Sequence, residues 1–286
     1  MDVSIMIEGQ MGLTWDRWRR IALLVEQLGF AGLFRSDHFV NPGAPDDHSL
    51  EMITSLVWLA DHTERIRFGP LVAPFSFRDP VMLARQAAAI DELSDGRLVL
   101  GLGAGWMERE HDAFGYHLGD LDTRFARLAE GLEVVSRLLG AREPVSFEGS
   151  HYRLRDAMIT PHRRPPMCVG GGGPRRTLPL AARYADEWNA VYLPPETYRA
   201  RAARLDELLV EQGREPSAVR KTMMTGVAPG ASDADARAAR GQIAGSSAQM
   251  REQLAALEAA GCSEVMLQWL ALDDLDGLRA LADALL

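Results

Sequence analysis

The residues of this chain whose types could do chemistry fall in a few short runs. Arg35-Ser36-Asp37-His38-Phe39 sets an imidazole beside a carboxylate, a pair suited to proton transfer or to gripping a polar ligand. Gly101-Leu102-Gly103-Ala104-Gly105-Trp106 is a strand end stripped of side chains and followed by an aromatic wall, with Arg109 and Glu110 close behind. Such glycines let something approach the backbone, either a ligand or a neighbouring strand that needs room. Gly170-Gly171-Gly172-Gly173-Pro174-Arg175-Arg176 exposes amides ahead of a helix and adds two guanidinium groups, which is the chemistry of an anion cradle.

Other chemistries lack their spacing. The three glycines do not follow the dinucleotide fingerprint, and no Gly-Lys-Ser/Thr follows the second run, so it is not a Walker loop. His111 and His117 stand near Glu108, Glu110 and Asp112 without any H-E-x-x-H arrangement, and no metal site is expected. A Gly-x-Ser-x-Gly elbow is absent, which argues against a serine hydrolase. The charged run Glu196–Glu211 reads as the solvated face of a helix.

These runs must be held by a scaffold, and the pattern of the 286 residues specifies one. Short apolar runs at Val3–Ile7, Ala31–Phe34, Ile66–Val72, Arg97–Leu102, Pro166–Gly170, Glu187–Tyr192, Arg220–Val227 and Glu264–Trp269 alternate with helix-period segments. Thr14 and Ser49 are expected to cap the first two helices, and Asp79-Pro80 to open the third. Eight such alternations predict an α/β fold, a (β/α)8 TIM barrel forming a single domain over 1–286. The pattern breaks after the fourth strand–helix unit. There, Val145, Phe147, Tyr152 and Leu154 alternate around Glu148-Gly149, which predicts a hairpin excursion within an insertion at about 141–164. Segment 229–245 is rich in Ala, Gly and Asp and yields no firm reading. In barrels of this kind chemistry sits on the loops that follow the strands, and all three runs fall there.

A net charge of −9 argues against nucleic acid or an acidic membrane as the main partner. No apolar run approaches a membrane span, and no export signal is read at the N-terminus. The two cysteines, Cys168 and Cys262, form no C-x-x-C pair, so a reducing, cytoplasmic setting without disulfides is expected.

Taken together, several segments resemble the bacterial luciferase-like family, and within it the oxidoreductases that use the deazaflavin coenzyme F-420. The matching segments are Ser36–Phe39, Asp79-Pro80, Asp91–Trp106, Phe147-Glu148-Gly149-x-x-Tyr152, Gly170–Thr177 and Ala185-Asp186-x-Trp188-Asn189, in the family's order. The resemblance implies a homodimeric barrel with the cofactor ring at the strand ends. It assigns Asp37 and His38 to the neighbourhood of the ring, His38 as the catalytic side chain, and a cis peptide at Leu71–Val72, next to Ala73, to backing one face. Gly105, Trp106 and Arg109 belong to the same implied cofactor set. Gly170, Gly171, Gly172 and Gly173, with Pro174 and Arg175, correspond to the cofactor phosphate site. Sugar-phosphate dehydrogenases of the family use a Trp and a Glu where this chain has Gly43 and Trp106, so the resemblance disfavours that substrate.

The expected activity is hydride transfer between F-420 and a small organic substrate. An FMN-dependent monooxygenase of the same family is the alternative, and a flavin-binding protein without turnover is a reading from a different class.

Overall fold

Apolar strands and amphipathic helices alternate along the whole chain, and the computed structural model describes all of residues 1–286. The first half runs β1 (Asp2–Ile7), α1 (Trp15–Leu28), β2 (Gly32–Arg35), α2 (Met52–His62), β3 (Arg67–Pro70), β4 (Ala73–Pro74) and α3 (Pro80–Leu93). Next come β5 (Leu100–Gly103), α4 (Glu108–Phe114), α5 (Leu121–Gly140), β6 (Val145–Glu148) and β7 (Arg153–Ala157). They are followed by β8 (Met167–Gly170), α6 (Thr177–Tyr184), β9 (Glu187–Val191) and α7 (Pro195–Glu211). The chain ends with β10 (Arg220–Pro229), α8 (Ala234–Ala238), β11 (Ile243–Gly245), α9 (Ser247–Ala259), β12 (Glu264–Gln268) and α10 (Leu275–Leu285).

The main sheet is parallel and follows the order β3-β2-β1-β12-β10-β9-β8-β5-β4, with β11 branching from β10. A bridge between Phe68 and Leu98 joins β3 to the chain entering β5 and closes the circuit. β3 and β4 are two halves of one stave, interrupted at Leu71–Val72, whose peptide bond is cis. Counting them together gives eight staves, a TIM barrel. β6 and β7 lie outside it as an antiparallel pair. The Glu130 carboxylate of α5 ties the turn of that pair down by accepting from the N–H groups of Ser150, His151 and Tyr152.

Local chemistry sets the helix boundaries. Thr14 accepts from the Arg17 amide and Gly29 ends α1 in the left-handed region, while Asp79 accepts from both Val81 and Met82 ahead of Pro80. The expectation for α2 is corrected. Glu51, not Ser49, caps it by accepting from the Thr54 amide at 2.8 Å, because the Ser49 hydroxyl donates to the His38 carbonyl at 2.7 Å. Helix-period spacing in the sequence puts Val57 with Leu50, Ile53 and Ala60 on one face of that helix, but in the structure Val57 is exposed.

Between staves and helices the core buries Trp18, Phe30, Phe68, Trp188 and Tyr198. Inside the barrel, Met6, Phe34, Val99, Cys168 and Met266 pack as a separate cluster. Below them the N-terminal end is closed by ions. Arg67 pairs with Glu264 at 2.6 Å and with Glu187, while Arg220 bridges Glu264 and Asp2. Burial, with the charge of Glu264, outweighs Arg67 and Arg220 and holds the Glu187 carboxyl above its ordinary pKa. With that end plugged, the barrel opens only at the C-terminal ends of its staves. No helix is long and apolar enough to cross a membrane.

Candidate active site

A cavity of about 720 Å³ opens at the C-terminal ends of the staves, within the usual size range of small-molecule sites. Its floor is sulfur-rich: Met6 and Met224 face it, and Met266 and Cys168 pack beneath. Asn189 holds the floor by donating from Nδ2 to Thr222 Oγ1 at 2.9 Å and to Met266 Sδ at 3.4 Å.

One wall is the broken stave. Leu71 and Val72 face the cavity, and the Val72 side chain lies over the neighbouring glycines. A Cβ at Gly103 would fall 2.3 Å from Val72 Cγ2, and one at Gly170 would fall 2.7 Å from Val72 Cγ1. The room these glycines make is therefore filled by the adjoining stave, the second of the two explanations the sequence left open. They let Val72 present itself to the cavity.

His38 follows β2 and is mostly buried. Its Nδ1 lies 2.9 Å from Oε1 of Glu110, a carboxylate that is itself 1 % exposed and that also accepts from the Phe39 amide at 3.0 Å through Oε2. A carboxylate can only accept here, so Nδ1 carries the proton and Nε2 is left as the working nitrogen. Burial alone would lower the His38 pKa. The hydrogen bond and charge of Glu110, with the charges of Glu8 and Asp37, outweigh it, and the pKa stands above its ordinary value. Trp106 meets the imidazole edge-on, ring centres 5.6 Å apart.

The segment carrying His38 is clamped from behind. Arg78 makes a two-pronged pair with Asp37, at 2.8 and 2.7 Å, and reaches Glu51 at 2.9 Å. Arg35 donates to Ser55 Oγ and to the Leu50 carbonyl, and its burial lowers the guanidinium pKa to about 10. Beside His38, side chains from separate staves form one chain of hydrogen bonds. Tyr192 bonds Gln268, Gln268 donates to Glu8 at 2.5 Å, Gln10 donates to the other Glu8 oxygen at 3.0 Å, and Ser36 donates to Gln10 at 2.8 Å.

β5 and β8 lie across the circuit from the β12–β1 seam that carries Glu8, and the donors differ there. Gly171 sits at φ +118°, its amide bonded to the Asn189 carbonyl at 2.8 Å and its own carbonyl accepting from Trp188 Nε1 at 2.7 Å. The N–H groups of Gly172 and Gly173 donate to no backbone carbonyl. Thr177 and Arg124 face the cavity, and the buried Arg124 Nε has no hydrogen-bond partner.

A family model described as luciferase-like monooxygenase matches residues 4–286. The chain belongs to that family. An F-420-dependent glucose-6-phosphate dehydrogenase of Intrasporangium calvum is 36 % identical over 165 residues, covering 56 % of this luciferase-like chain and 48 % of the relative. Pyrimidine monooxygenase RutA of Escherichia coli is 30 % identical over 176 residues, 59 % of this chain and 45 % of its own length. The chain thus matches about half the length of these curated relatives. In fold, it superposes on an F-420-dependent secondary alcohol dehydrogenase, solved with an F-420–acetone adduct, with a TM-score of 0.88 at 18 % identity, covering 100 % and 99 % of the two chains. Monooxygenase RslO1 from Streptomyces bottropensis gives 0.80 at 20 % identity, covering 100 % and 98 %.

Of the residues read as site members, the luciferase-like barrel brings His38, Leu71, Val72, Gly105, Trp106, Gly170 and Gly171 to the cavity wall. It does not bring the others there. Asp37 is turned to Arg78, and Ala73 is packed in the core between staves and helices. Arg109 extends to Asp46, at 2.7 and 2.5 Å. Gly172 lies at the rim, and Gly173, Pro174 and Arg175 are exposed beyond it in the turn to α6. Arg176, the second guanidinium of that run, pairs with Asp122. The sequence reading missed Glu8, Gln10, Arg124, Asn189, Tyr192 and Gln268. Glu8, Tyr192 and Gln268 stand at or just past strand ends, where a polar residue after an apolar run is the available signal, whereas Asn189 lies in the middle of β9.

Proposed function

We propose that this protein is an oxidoreductase that binds coenzyme F-420 and moves a hydride between it and a small organic substrate. The observation that carries the reading is His38. Its Nδ1 is occupied by Glu110, and its Nε2 is left for the cavity at the open end of the barrel. Relatives named as F-420-dependent dehydrogenases, 31–36 % identical over part of the chain, support the choice of cofactor.

The donor set fits that group. An anionic phosphate needs amides and a cation, and the uncommitted amides of Gly172 and Gly173 at and just beyond the rim, with Thr177 and the unpaired Nε of Arg124 in the wall, supply them on one side. A planar apolar ring needs a flat apolar support, and Val72 with Leu71 offers one over the thioether floor. When bound, the deazaflavin supplies a carbon that accepts or donates a hydride. The protein's own part is proton management. Neutral His38 can take a proton from a substrate hydroxyl at Nε2, with the Glu110 carboxylate stabilising the imidazolium that results. Protonated His38 can return it to a carbonyl oxygen.

FMN-dependent oxygenation is the second reading, and the relatives named pyrimidine monooxygenase favour it. Parallel titration of the purified protein with F-420 and with FMN tests the choice. Tighter binding of F-420 is expected, and tighter binding of FMN would replace the first reading with the second. We further infer that the protein works as a homodimer in the cytoplasm, which sedimentation and fractionation would test.

A further inference from the structure

We propose that the space between His38 and Trp106 is a substrate subsite for a neutral, largely apolar molecule carrying one hydroxyl or carbonyl oxygen, and that Trp106 determines this specificity. The proposal rests on the oxidoreductase reading for the role of the oxygen, but its geometry stands apart from the choice of cofactor.

Trp106 is 57 % exposed, and the apolar residues that share the cavity mouth with it, Met11 and Leu121, are 41 % and 48 % exposed. Together with Pro42 they form a rim of uncovered apolar surface around one opening. Isolated exposed apolar side chains are ordinary, but a convergent set around a concave site marks a surface that a ligand covers. Trp106 follows Gly105, whose left-handed backbone (φ +78°) has no room for a Cβ beside Ser76, and it stands edge-on to the imidazole. The indole therefore borders the space beside His38.

With the cofactor's phosphate on Arg124, the remaining fixed charge around the same space, that of Glu8, disfavours an anion there. Glu8 presents a carboxylate held by the amides of Gln10 and Gln268. The one guanidinium facing the cavity, Arg124, donates to the Gly105 carbonyl at 3.2 Å, next to Trp106 in the chain, and is the cation assigned above to the cofactor's phosphate, which would neutralise it. Beside Trp106, the group free to meet a substrate oxygen is Nε2 of His38. A ligand that satisfies it needs one oxygen, and the rest of its surface meets indole, thioether and proline.

The test uses the protein loaded with F-420, with cyclohexanone as the neutral probe and cyclohexanecarboxylate as the anion of similar shape. Binding is read by ligand-observed NMR titration of wild type, Trp106→Ala and Trp106→Phe. The ketone should bind at least about tenfold more tightly than the carboxylate. Trp106→Ala should weaken the ketone by about tenfold, as truncation of an aromatic anchor does, and Trp106→Phe should restore most of the loss. Being exposed, Trp106 should leave the thermal midpoint unchanged when replaced. Equal binding of the two probes, no binding of either, or ketone affinity indifferent to Trp106→Ala would overturn the proposal. F-420 fluorescence, titrated in the same samples, separates the two failures. Cofactor binding without ketone preference sinks the subsite alone, whereas Trp106-dependent ketone binding without F-420 binding sinks the cofactor reading and leaves the subsite.

Discussion

Replacing Glu110 should cost both stability and the pH behaviour of the site, by amounts that the geometry sets. The carboxylate is 1 % exposed and holds two groups at once, His38 Nδ1 at 2.9 Å and the Phe39 amide at 3.0 Å. Glu110→Ala removes one partner of a buried charged pair, a change that typically costs about 3–5 kcal/mol. At roughly 2 °C per kcal/mol for a chain of this size, the thermal midpoint should fall by about 6–10 °C. Glu110→Gln keeps an acceptor for Phe39 but loses the charge, and its effect should depend on pH. Because the folded state raises the His38 pKa, protonated His38 adds stability that is fully present below its unfolded value of about 6.5. That stability is lost as pH rises through the folded value. The gap in midpoint between wild type and Glu110→Gln should therefore be widest near pH 6 and shrink as pH rises. Differential scanning fluorimetry across pH 5.5–9, with the pH profile of turnover beside it, is the assay. A gap that is flat with pH would refute the claim that Glu110 sets the charge of His38.

Three further outcomes are expected. His38→Ala should lower turnover by about 10²–10⁴ while F-420 affinity, read by fluorescence, barely moves; near wild-type turnover would make His38 structural. Trp188→Phe leaves the Gly171 carbonyl unpaired, which costs about 1–3 kcal/mol, and should weaken F-420 by about three- to tenfold at unchanged saturated turnover. Unaltered F-420 affinity would place the phosphate elsewhere. Arg78→Met strands the buried Asp37 carboxylate at a cost of about 3–5 kcal/mol, and adding Asp37→Asn should recover much of the midpoint, which calorimetry of the single and double variants would show.

Periodicity revealed the barrel because its staves are buried on both faces and its helices on one, so each writes its own repeat into the chain. His38, Trp106 and Gly171 were legible for a related reason, since each stands just past an apolar run. What held them was not legible. Glu110 reaches His38 from 72 residues away, out of a seven-residue helix, Glu108–Phe114, too short and too charged to show a period. Glu8 and Gln268 meet across 260 residues, where the last stave closes on the first. Ser49 was a sound cap by type, and it lost that role to Glu51 because His38 claims its hydroxyl. Arg109 was plausible for an anionic cofactor, but Asp46, on a loop rich in Pro, Gly and Asp, takes both of its terminal nitrogens. Past Pro229, which ends β10, segment 229–245 holds only a five-residue helix and a three-residue strand, β11, that depends on β10 for its existence.

The floor beneath the cavity has an evolutionary consequence. Met6 and Met224 meet the ligand space, and Met266 and Cys168 back them, through unbranched or small sulfur side chains, which change shape by turning about single bonds rather than by moving staves. Exchanges among methionine, leucine and isoleucine at such positions usually cost less than about 1.5 kcal/mol. The depth and outline of the site can thus drift by single substitutions, while the clamp on His38 and the ionic plug stay as they are. A lineage carrying this barrel can try new ligands without first surviving an unstable intermediate.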